Sequence, residues 1–84
     1  MWPEPTDNQH DDQVRQETQR LRRQAADLSD MVAQTEEDVA DIFEQIARTR
    51  SSADAQRLRA HADHARRQAA KERDHAAKYS EPPA

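Results

Sequence analysis

Two heptad seams, set out of register by two residues, constrain this chain more than any other feature of its sequence. The first runs through Val14, Thr18, Leu21, Ala25, Leu28, Val32, Thr35, Val39, Ile42 and Ile46. The second runs through Ala55, Leu58, Ala62, Ala65, Ala69, Glu72, Ala76 and Tyr79. Alternate spacings of three and four keep one stripe of a helix facing a partner helix. A stutter or stammer inside one helix inserts four or three residues, so a slip of two marks a chain break instead. Ser51, Ser52 and Asp54 offer N-cap and first-turn chemistry at that point. The reading is an all-α protein, an antiparallel two-helix hairpin that dimerises into a four-helix bundle. The competing architecture is one continuous helix in an intermolecular coiled coil, which the missing turn glycine favours and the slip opposes.

The boundaries follow from local signals. Residues 1–6 carry two prolines and read as a disordered tail, and the 80–84 end, Ser80-Glu81-Pro82-Pro83-Ala84, reads the same way. Thr6 and Gln9 fit a capping box, with Asp7, Asp11 and Asp12 near the positive end of the helix dipole. Helix 1 is expected at about 7–50, the turn at about 50–52 and helix 2 at about 53–79.

Folding the chain there pairs Ile42 with Leu58, Val39 with Ala62, Thr35 with Ala65, and Val32 with Ala69. Further along, Leu28 meets Glu72, Ala25 meets Ala76 and Leu21 meets Tyr79. Large residues of helix 1 then face alanines of helix 2, which permits close approach. Glu36 falls beside Arg66, and Phe43 beside Arg59 with a cation–π contact. Charge is segregated in the same sense. Seven acids and no Lys or Arg lie between Arg23 and Arg48, whereas helix 2 is mostly basic. Such pairs orient the helices more than they stabilise them, at about 0.2–1 kcal/mol each when exposed.

Composition narrows the function. The chain has 84 residues, of which 33% are hydrophobic and 36% charged, too little apolar surface for a compact monomeric globule. Without glycine it has no phosphate-cradling loop, and without cysteine it has neither disulfides nor thiolate metal sites. The serines have neither a Gly-flanked elbow nor a convincing base, and a two-helix hairpin has almost no interior for a water-excluding pocket. An enzyme is therefore not expected. No segment has the apolar length of a membrane span, so no membrane partner is expected, and the acidic N-terminus lacks a signal-peptide core. A cytoplasmic location is the default, and the Arg- and Ala-rich usage suggests a bacterial, GC-rich source.

Four residue sets are candidates for function. Val14 and Leu21 lie where helix 1 overhangs helix 2, and Met31 and Phe43 lie off the main seam. Together they form a candidate interface for a homo-oligomer or a larger protein partner. The expected function is a protein–protein interaction module, an adaptor or regulator with no cofactor. Glu72 and His75 form a Glu-x-x-His pattern, with Asp27 and Asp30 across the hairpin. An acid in an apolar seam is costly unless it is paired or ligates metal. This set resembles the helical-hairpin ferritin-like proteins that assemble a di-iron site across a dimer, which implies iron or zinc binding. It departs from them in having Asp rather than Glu on helix 1, and in placing His75 one position off the seam. The plainer alternative is that Glu72 pairs with Arg22 or Arg73. His61 and His64 are a second cluster, able to share a metal with Asp38 or Asp41. The arginines of helix 2 (Arg57, Arg59, Arg66 and Arg67) suit a nucleic-acid backbone or ribosome, but little aromatic interleaving accompanies them and helix 1 acids compete for them. Helical-hairpin secretion substrates carry a Trp-x-Gly turn; this turn has neither residue, so that resemblance fails.

Overall fold

The computed structural model describes the backbone of residues 4–81 and the side chains of residues 9–81. It is a hairpin of two helices, α1 (Glu4–Ala47) and α2 (Ser52–Ser80), extending 79 × 18 × 14 Å. The all-α two-helix hairpin expected from the sequence is the one observed. Residues 1–3 and 82–84 lie outside the described residues.

The boundaries differ from the expected ones at three places. α1 begins at Glu4, so Thr6 lies inside the helix and not at its cap. It ends at Ala47, and the turn occupies 48–51. The closing bonds are short-range: Thr49 N–H donates to the Ile46 carbonyl at 3.0 Å and Arg50 N–H to that of Ala47 at 3.3 Å. The Thr49 hydroxyl also donates to Ile46 at 2.9 Å. Bonds to the third residue back tighten a last helical turn and satisfy carbonyls that would be orphaned. The chain then reverses through Ser51, at φ −61° and ψ 162°, which is the N-cap of α2. Its side chain makes no capping hydrogen bond, and Asp54 pairs with Arg57 instead. No described residue has a positive φ. The break uses one extended residue, which any side chain tolerates, so the missing glycine is no obstacle. The third difference is at the other end, where α2 includes Ser80 and the Ser80 hydroxyl donates to the Ala76 carbonyl at 2.9 Å.

The seam of α2 is buried as its spacing requires: Ala55, Ala62, Ala65, Ala69 and Ala76 are buried, with Leu58 and Glu72 half-buried among them. The seam of α1 is one residue away from the expected stripe. Ala26, Ser29, Ala33, Ala40 and Ala47 are the buried positions, with Glu36 and Phe43 half-buried in the same spacing. Ala40 clusters with Ala62 and Ala65, and Val39 and Phe43 pack at the margin. The register that sets Ala40 against Ala62 also levels Ala47 with Ala55, Ala33 with Ala69 and Ala26 with Ala76. The inner seam is therefore alanine facing alanine, and no large side chain is fully buried. Small residues on both sides let axes approach the lower end of the usual range of about 8–10 Å. Burying one methyl group contributes little, about 0.8 kcal/mol, so the seam sets geometry more than it supplies stability.

Arg22 closes the far end. Its guanidinium donates to the carbonyls of Lys78 at 3.0 Å, Glu81 at 3.2 Å and Tyr79 at 3.3 Å. A cation at a helix C-terminus answers both the orphan carbonyls and the negative end of the dipole. Residues N-terminal to Arg22 project beyond α2, and residues 9–21 are all exposed.

Candidate interaction face

A rotation of one residue is about 100° on a helix. Because α1 turns its alanines inward, the bulky seam read from the sequence points roughly at right angles to the hairpin plane. Leu28 is 61% exposed, Ile42 54%, Leu21 52% and Val14 50%, with Val32 and Ile46 also exposed. The pairings expected for Ile42, Thr35, Val32, Leu28 and Leu21 are replaced by those of the neighbouring inner seam. The result is an apolar ridge along α1 that α2 does not cover.

The two faces of the hairpin are chemically different. On one, α1 acids meet α2 arginines. Arg66 reaches Glu44 at 2.7 Å and Asp41 at 3.6 Å, and also its own-helix neighbour Asp63 at 3.8 Å. Arg73 pairs with Glu37. The Arg66 guanidinium, through its hydrogen bond and then its charge, holds the Glu44 carboxyl below the usual glutamate range. Glu36, expected beside Arg66, lies on the inner seam instead. The other face carries the ridge, and beside it the α2 edge that contains Arg57, His61, His64, Lys71, His75 and Lys78. Two contacts establish this side. Phe43 and His61 lie with ring centroids 5.5 Å apart and tilted by 31°. Ile46, Leu58, Arg57 and His61 line one open groove near the turn, together with Arg50 and Asp54.

The four candidate interface residues separate. Val14 and Leu21 belong to the exposed ridge, and Met31, 66% exposed, borders it. Phe43 does not belong with them. It packs on the Ala40–Ala62 cluster and meets His61, not Arg59. What the sequence reading missed is the inner seam itself: alanines repeating by sevens at 26, 33, 40 and 47 mirror those at 55, 62, 69 and 76. That signal was present, but the bulkier neighbours Val32, Val39 and Ile46 masked it.

The other candidate sets are not assembled within the chain. Glu72 and His75 approach to 3.9 Å. Among the described residues no group of three or more His, Asp or Glu side chains converges as a metal site, so Asp27 and Asp30 do not join them. Small Ser29 lies level with Glu72 and leaves room for its stem, and Glu72 is 29% exposed at the side chain. The α2 arginines do not form one free stripe: Arg66 and Arg73 are engaged by α1 acids on one face, while Arg57 lies on the other with Asp54. Among the described residues no helix is long and apolar enough to cross a membrane. Comparison with protein-family models, with curated proteins and with solved structures returns no match. The arrangement defines a class by geometry alone, an antiparallel alanine-seamed hairpin with one apolar face.

Proposed function

We propose that this hairpin is a protein–protein interaction module, an adaptor or regulator without catalysis, whose working surface is the exposed ridge of α1. One observation carries the reading. The chain places alanines in its own interface and leaves most of its bulky aliphatic residues outside (Val14, Leu21, Leu28, Val32, Ile42 and Ile46), on one heptad stripe of α1. A seam of that spacing matches another helix. The cytoplasmic setting expected from the sequence is kept as part of the proposal.

Leu28→Asp tests it, because Leu28 is exposed and its replacement leaves the inner seam intact. Helicity should be retained while association, with itself or with a protein captured from native cells, is lost. Wild type and Leu28→Asp behaving as identical, non-associating monomers at micromolar concentration would refute the proposal.

A further inference from the structure

The ridge does not stand alone on its face. Across that face run three parallel strips. The outer flank of α1 carries Glu17, Gln24, Met31 and Asp38, all exposed. The apolar ridge lies in the middle. The α2 edge beyond it carries His64, Lys71, His75 and Lys78, also exposed. The first strip holds acids and no base, the second is apolar, and the third is mostly basic. The register set by Ala40 and Ala62 adds a second match along the axis. It levels Asp38 with His64, Met31 with Lys71, and Gln24 with Lys78.

We infer that the occupant of this face is a second copy of the same chain, with the two α1 helices side by side and parallel. This rests on the reading of the ridge as a docking surface and names its partner. A two-fold axis along the helices lays ridge on ridge and carries the acidic flank of each copy over the basic edge of the other. Asp38 of one copy then comes to His64 of the other. A two-fold axis across the helices would also join the ridges, but it would set base over base. An isologous interface must be self-complementary, and only the first axis makes the charges so. The overhang beyond Arg22 acquires a purpose, since Val14 and Thr18 continue the ridge there.

The chain has no cysteine, so single cysteines report the geometry directly. Val14→Cys and Ile46→Cys are each oxidised alone and then as a mixture, with sedimentation of the wild type at micromolar concentration. The expected result is a dimer in which each variant cross-links to itself and the mixture gives no preferred heterodimer. Asp38→Lys should raise the dimer Kd by about three- to tenfold, the upper part of what an exposed pair supports once attraction becomes repulsion. Adding His64→Glu to the same chain should return it toward wild type. Cross-linking of Val14→Cys only with Ile46→Cys would show antiparallel α1 helices and overturn the inference. A wild-type monomer would overturn it too. If that monomer still captures a cellular protein through Leu28, the interaction reading stands and only the identity of the occupant falls.

Discussion

Ala40 of α1 lies against Ala62 of α2, each with 0% of its surface exposed, at the centre of the hairpin. Because neither carries more than a methyl group, the two backbones approach closely there. Ala40→Leu has nowhere to put its added atoms. It should destabilise the hairpin by about 1–3 kcal/mol, the usual cost of overpacking. The check is a urea or thermal melt followed by circular dichroism, with the exposed Ala60→Leu as a control that leaves the midpoint nearly unchanged.

Phe43 packs into the hairpin and not on the exposed ridge. It is half-buried against the alanine cluster and His61. Phe43→Ala should cost roughly half of the 3–5 kcal/mol typical of a fully buried phenylalanine. At temperatures where the variant is folded, its association should match wild type. A variant with an unchanged melt and lost association would contradict this placement.

Arg22 holds the end of α2 through three backbone carbonyls. Arg22→Ala should fray residues 77–81 while the turn end stays ordered. Amide exchange should quicken severalfold in the last turn of α2, in line with about 0.3–1 kcal/mol for a cation at a helix C-terminus. Equal exchange in both proteins would remove the capping role.

The Arg66–Glu44 bridge makes the hairpin sensitive to acid. The folded state lowers the Glu44 pKa, so the folded form binds fewer protons than the unfolded form in that window. Its contribution is complete above the ordinary glutamate pKa of 4.5 and is lost as pH falls through the lowered folded value. The melting temperature should therefore fall on acidification below about pH 5. Glu44→Gln should lower stability at neutral pH and flatten that part of the profile. Added salt should weaken the wild-type advantage, because both groups are partly exposed.

The sequence alone determined that this chain makes two helices, that they break near Ser51 and that α2 turns Ala55, Leu58, Ala62 and their heptad successors inward. Those follow from local physics: no proline or glycine between Thr6 and Ser80, a phase slip between the seams of the two helices, and one dominant seam on α2. The N-terminal start of α1 and the exact closing residues of the turn were less legible, because several residues there cap or continue a helix equally well.

Only the tertiary structure decided which face of α1 meets α2. That helix carries two seams one residue apart, one of alanines and one of bulky aliphatics, and hydrophobicity by itself selects the bulkier. The choice depends on how two surfaces mesh. Alanines repeating by sevens on both helices interlock at short range, and Arg66 and Arg73 then reach Glu44 and Glu37 across one edge. The bulky seam, turned by about 100° on the helix, is left facing outward. The opening slip between seams thus located the hairpin, while the meshing of its smallest side chains determined which surface it presents.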